Sequence, residues 1–169
     1  MQIIPASYDD LPEVAQIHVN SWKQTCVGQV PQAHLDNLNL ASRLRAWQEQ
    51  FATRDVSGLL IARVDNTAAG FVCFGPARDR DRQDWREIYA IYVLKEHWGR
   101  GIGYSLHNNA GAGLREQRLS KAYLWVLDTN HLAIAAYQRW GGVVQADRLK
   151  DDVIGGQPVK EVSVLFNLT

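Results

Sequence analysis

The chain has 169 residues, 46% of them hydrophobic and 21% charged, which suits one globular domain over residues 1–169 and excludes the disordered and membrane classes. Its 18 basic and 18 acidic side chains cancel, so no net field draws the molecule to nucleic acid or to anionic lipid. That leaves a protein that meets a small molecule or a local surface.

The segment "QIIPAS" reads as a first strand. "DDLPEVAQIHVNSWKQTC" then sets Leu11, Ala15, His18, Trp22 and Cys26 on one helical face behind an acidic start that suits the helix dipole. Pro31 opens a further helical region in which Leu40, Leu44, Trp47 and Phe51 repeat as a buried stripe. From residue 57 the period changes. "SGLLIARVD", a turn at "NTA" and "AGFVCFGPA" predict a hairpin of two strands. The charged run "RDRDRQD" over 78–84 predicts a solvated loop, because mixed charge buries badly.

"WREIYAIYVLK" predicts another apolar strand, followed by a glycine-rich segment and a helix over about 102–118. A strand "KAYLWVLD", a helix "NHLAIAAYQRWG" and two closing strands around "IGGQP" complete the order. The fold class expected is therefore a mixed α/β sheet of about seven strands flanked by about four helices, with parallel pairing in its centre. Ligands on such sheets favour the C-terminal ends of strands.

Cys26 and Cys73 stand apart, and "MQIIPASYDD" has neither a basic nor an apolar leader region. A reduced cytoplasmic setting with two inert thiols is expected. The histidines at 18, 34, 97, 107 and 131 show no paired metal spacing, so no metal is expected.

The segment "EHWGRGIGYSL" carries Gly99, Gly101 and Gly103 at the end of a strand and the start of a helix. Such a turn leaves backbone N–H groups unpaired at the positive end of the helix dipole, which makes an anion site. Without Cβ atoms, Gly101 and Gly103 let a phosphate oxygen approach the backbone, and Arg100 adds charge. A tight turn that is glycine-rich for conformation alone is the competing reading. A nucleoside triphosphate loop is poorly supported, since no Lys-Ser/Thr pair follows. A dinucleotide fingerprint would place a small residue where Tyr104 stands, and its loop usually follows the first strand.

"IYVLKEHWGRGIGYSL" followed by "AYLWVLDTNHLAIAAYQRWGG" resembles the cofactor-binding half of the GNAT superfamily of acetyl-CoA-dependent N-acetyltransferases. Gly101, Gly103, Asn130 and Tyr137 fit its pattern, whereas Trp98 stands where the pattern has Gln or Arg. "HVNSWKQTCVGQVPQAHLDNL" and "IGGQPVKEVSVLFNL" extend the likeness over nearly the whole chain. The helical glycines Gly111 and Gly113 suggest close packing.

The resemblance implies acetyl-CoA as cosubstrate and a small-molecule amine as acceptor, with a homodimer as the assembly. The pyrophosphate would lie on the amides of Trp98, Gly99, Arg100, Gly101, Ile102, Gly103 and Tyr104, and the pantetheine beside Ile91, Tyr92 and Val93 at a splayed strand pair. An N–H near Val93 would stabilise the oxyanion. Alternation along "REIYAIYV" puts Glu87, Tyr89, Ile91 and Val93 on one face, which makes Glu87 the candidate general base. Its alternative is a solvated strand-start glutamate.

Tyr137 is the candidate acid for the CoA thiolate, or a core aromatic. Asn130 is a helix cap or a pantetheine contact. Trp22, Trp47, Trp85 and Tyr89 are candidates for an acceptor pocket, with helical spacing favouring the core for Trp22 and Trp47. Asp79 and Asp81 are candidates there as well, or plain solvated loop. A CoA-binding module without transfer and a nicotinamide-dependent oxidoreductase remain as alternative functions.

Overall fold

The computed structural model describes residues 1–53, 58–116 and 119–168. Ser57 and residues 117–118, expected in strand and helix, lie outside the described residues.

Strand β1 (Gln2–Pro5) leads into a 3-10 turn whose start is closed reciprocally by Ser7 and Asp10, a capping box that satisfies free amides ahead of the helix. Helix α1 (Leu11–Thr25) follows, with Leu11, Val14 and Ala15 buried. Arg63 reaches across to Asp10 and Glu13 and ties the start of that helix to the sheet. The second helical region divides into α2 (Gln32–Asp36) and α3 (Leu40–Thr53). Of its expected stripe, Trp47 is buried edge-on against Phe71, and Leu40 is exposed.

Strands β2 (Gly58–Val64) and β3 (Thr67–Pro76) form the expected hairpin. Its turn falls on Asp65 and Asn66, at φ 48° and 66°, rather than on "NTA". A two-residue turn of this hand needs positive φ at both central positions, and Asp and Asn tolerate it.

Beyond the hairpin come β4 (Arg86–Val93), α4 (Ile102–Glu116), β5 (Lys121–Leu127), α5 (His131–Arg139), β6 (Val143–Ile154) and β7 (Gln157–Asn167). The seven strands form one sheet in the order β1-β2-β3-β4-β5-β7-β6. Only the β4–β5 ladder in it is parallel. One face packs on α4 through Ile102, Leu106, Ala110 and Leu114 and on α5 through Ala133, Ile134 and Tyr137. Leu11, Val14, Trp47 and their neighbours from α1 and α3 cover the other over β2 to β4.

The charged run is mostly exposed, as its composition predicts, but one of its residues is not. Arg82 is only 2% exposed. Its guanidinium donates to Ser163 Oγ at 2.7 Å and Gln145 Oε1 at 2.8 Å, and lies 4.4 Å from the Tyr123 ring centroid and 5.1 Å from that of Trp85. Delocalised charge and flat shape let a guanidinium stack where an ammonium would not. Arg148, from a bulge in β6, grips Asp81 of the same loop at 2.5 Å. Gly113 also departs from expectation: a Cβ built there meets nothing within 4 Å.

Candidate active site

Strands β4 and β5 are hydrogen-bonded at only two positions, Arg86 with Ala122 and Glu87 with Tyr123. Beyond them β4 stays paired with β3 as far as Val93, and β5 with β7 as far as Leu127. The sheet therefore splits along its parallel seam. Strand edges on both sides of the split present unpaired N–H and C=O groups to whatever lies between them.

A bulge shapes the β4 side. Cys73 pairs with Ala90 and Phe74 with Ile88, leaving Tyr89 unmatched. The extra residue reverses the pleat. Ile88, Ile91 and Val93 face the α4/α5 core, while Tyr89, Ala90 and Tyr92 face α1 and α3. The expectation that Glu87 shares a face with Ile91 and Val93 is thereby corrected. A cavity of about 110 Å³ occupies the split, with Ile91 and Leu124 on its walls, Trp22 and Tyr89 on one side and Tyr137 on the other.

Beyond β4 the glycine segment leads into α4. Gly99 and Gly101 adopt φ of 73° and 75°, the left-handed region that costs other residues 1–2 kcal/mol by about that order. Among the described residues, the N–H groups of 99 to 104 have no backbone acceptor. Trp98 departs from expectation: its amide donates to Lys95 O at 3.1 Å, and its indole Nε1 turns back to Val93 O at 2.8 Å. Neither group is free for phosphate, so the open row begins at Gly99. Arg100 is exposed beside it. A Cβ on Gly103 would lie 2.9 Å from the Trp140 ring, so glycine is required there for packing as well.

Helix α5 brings the next two candidates to the cavity. Asn130 caps it, its Oδ1 accepting from Ala133 N at 3.2 Å, and it also lines the cavity. Tyr137 is buried against Trp140 and Phe166. Its hydroxyl has no hydrogen-bond partner among the described residues. Burial pushes the phenol above its ordinary pKa, with Tyr92 adding to the effect, so it stays protonated as a donor.

On the opposite side, Glu87 is 1% exposed and is not on the cavity wall. Its carboxylate accepts from Arg78 N at 3.0 Å, from the Arg78 guanidinium, and from Tyr123 Oη at 3.0 Å. The solvated alternative does not hold. Trp22 and Tyr89 reach the cavity, Trp47 stays in the core, and Trp85 packs on Tyr123. Asp79 and Asp81 instead face Arg82 and Arg148.

Tyr92 extends from β4 towards α1, where Trp22 Nε1 donates to its hydroxyl at 2.8 Å and His18 stacks on it at 5.0 Å. Burial pushes the Tyr92 phenol up to about 12 and holds His18 down at about 3. The thiols are quiet for the same reason, with burial raising Cys26 and lifting Cys73 to about 12. No group of metal-ligating side chains occurs among the described residues. None of the described helices is long and apolar enough to cross a membrane.

The model of the acetyltransferase (GNAT) family matches residues 18–142, from α1 to the end of α5 and the turn beyond it. The chain belongs to the GNAT family. Among its GNAT relatives is the uncharacterized N-acetyltransferase YuaI of Bacillus subtilis, 28% identical over 162 residues, 94% of this chain and 88% of that one. An uncharacterized N-acetyltransferase of Archaeoglobus fulgidus is 30% identical over 139 residues, 81% of this chain and 89% of its own length. The fold is also that of the PaiA N-acetyltransferase of Thermoplasma acidophilum in complex with coenzyme A, with a TM-score of 0.70 at 20% identity, covering 95% of this chain and 96% of that one. A GNAT enzyme is an acyltransferase that takes its acetyl group from acetyl-CoA.

In this GNAT chain Ile91 and Tyr92 of β4, Asn130 at the cap of α5 and Tyr137 within it line the split, while Val93 ends β4 and residues 99 to 104 follow in the chain. Reasoning from the sequence missed Glu161 and Thr25, which line the same cavity. The alternation of "KEVSVLFN" does put Glu161 opposite the buried Val162 and Val164. What brings it to the split is its pairing with Leu127, a register that no local pattern announces.

Proposed function

We propose that this enzyme acetylates a primary amine of a small molecule by direct transfer from acetyl-CoA in a ternary complex. The observation that carries the reading is the split between β4 and β5, lined by Asn130 and Tyr137, together with the free amides of 99 to 104 in the segment that follows β4. An extended thioester of the length of pantetheine can pair with an open strand edge while its diphosphate sits on a helix N-terminus.

In this reading, an N–H of β4 near Val93 holds the acetyl oxygen and stabilises the tetrahedral oxyanion, an interaction whose loss typically costs about 10²-fold or more. The amine attacks the carbonyl carbon, the C–S bond breaks, and Tyr137 donates its proton to the departing sulfur. A protonated phenol aimed at the leaving atom suits that role. Asn130 holds the start of α5, and so the position of Tyr137, through its cap on Ala133. Glu87, locked by Arg78, keeps the β3–β4 loop beside the acceptor face rather than moving protons itself.

The same reading sets the enzyme in the cytoplasm, where Cys26 and Cys73 stay reduced, and gives it a homodimeric assembly. The test is release of free thiol from acetyl-CoA over a panel of amines, read against acetyl-CoA binding by calorimetry. Turnover on at least one small amine supports the reading. Tight binding with no turnover on any acceptor overturns it in favour of a CoA-binding module.

A further inference from the structure

We infer that Glu161, on β7, is the group that takes the proton from the acceptor ammonium. The inference rests on the acetyl-transfer reading and adds the residue that it lacks. A primary alkyl amine has a pKa of about 10.4 and arrives at neutral pH as an ammonium, which has no lone pair for attack. A base must therefore stand where the amine meets the acetyl group.

Of the carboxylates near the split, Glu87 is already saturated by Arg78 and Tyr123 and is shut off from the cavity. Asp79 and Asp81 face arginines outside it. Among the described residues, Glu161 is the one carboxylate on the cavity wall. The register of β7 opposes it to Leu127 at the open end of β5 and to Lys150 on β6.

Its partners leave it poised for an incoming cation. Lys150 Nζ lies 3.3 Å from Oε2, and Oε1 has no partner among the described residues. The same ammonium lies 5.8 Å from the ring centroid of Trp125, which also lines the cavity. A primary ammonium thus already sits between this carboxylate and this aromatic face, and the acceptor's own ammonium presents the same chemistry to Oε1.

The steps balance. The ammonium gives one proton to Glu161, which passes it to solvent, and the freed nitrogen lone pair forms the C–N bond. As the C–S bond breaks, the thiolate takes a proton through Tyr137, matched by the second proton that the nitrogen loses. The products are an amide, free CoA thiol and one released proton.

The test compares wild type, Glu161→Gln and Glu161→Asp on any amine that the wild type acetylates. The expected result for Glu161→Gln is a fall in kcat of about 10²-fold near pH 7, with the affinity for acetyl-CoA unchanged. Raising the pH to about 9.5 should narrow that deficit, because solvent then deprotonates the acceptor unaided. Glu161→Asp should recover part of the rate. Turnover of Glu161→Gln within twofold of wild type, or a deficit of the same size at every pH, overturns the inference and leaves acetyl transfer standing. A wild type that binds acetyl-CoA but acetylates no amine removes the underlying reading and the inference together.

Discussion

Replacing Arg82 with alanine removes a buried guanidinium that joins the β3–β4 loop to strands β5, β6 and β7. Two charge-assisted hydrogen bonds are lost, to Ser163 and Gln145, each worth about 1.5 kcal/mol or more. The stack on Tyr123 and Trp85 is lost as well, a further 2 kcal/mol or about that when desolvated. Two effects offset part of this sum. A buried charge no longer needs to be desolvated, and Ser163 Oγ keeps its bond to Gln145 Oε1 at 3.1 Å, so neither partner is orphaned.

The net expectation for Arg82→Ala is a loss of about 3 kcal/mol. For a chain of this length that lowers the thermal midpoint by about 6 to 12 °C. Exposed Arg80, two residues away, is the control, and its alanine variant should stay within about 0.5 kcal/mol of wild type. Urea denaturation followed by tryptophan fluorescence reads both variants. If Arg82→Ala shifts the transition no more than Arg80→Ala, the guanidinium does not hold the loop and the reasoning is wrong.

Tyr137→Phe should lower kcat by about 10²-fold while leaving the affinity for acetyl-CoA within twofold, and a wild-type rate would remove its role as acid. Gly113→Ala should raise stability by about 0.5–1 kcal/mol, since an added Cβ meets nothing there and glycine is costly in a helix interior; a loss of stability would contradict this. His18 is held near a pKa of about 3, against 6.5 in the unfolded chain, by burial and by the charge of Arg43. Below pH 6.5 the unfolded chain binds a proton that the folded one refuses, so stability should fall towards pH 3 by up to about 1.4 kcal/mol per pH unit. His18→Phe should flatten that part of the denaturation profile, and an unchanged slope would place the acid sensitivity elsewhere.

Long, strongly periodic segments were legible: α1, the β2–β3 hairpin, the strand before the glycines and the strand–helix pair after them all lie where spacing put them. The tight glycine turn was legible too, because positive φ at Gly99 and Gly101 is a local demand written in residue type. Features set by non-local packing were not. The bulge at Tyr89 inverts the pleat of β4 and carries Glu87 off the expected face, and alternation assumes that no such residue exists. Arg82 reads as solvent-exposed in a run of alternating charge, yet it is buried because Tyr123 and Trp125 of β5 and Trp85 of its own loop converge on it. The resemblance offers the Trp98 amide to phosphate, and only the fold shows that amide bonded to Lys95 O and the indole closing on Val93 O.

The central claim is that acetyl-CoA enters the split with its diphosphate on the glycine segment. Amide hydrogen exchange with and without acetyl-CoA tests it most directly. Slowed exchange should be confined to residues 88–93, 99–105 and the facing turn of α5, with β1 and α3 unaffected. Equal exchange in both states across 88–105, or protection centred on another surface, would contradict the account.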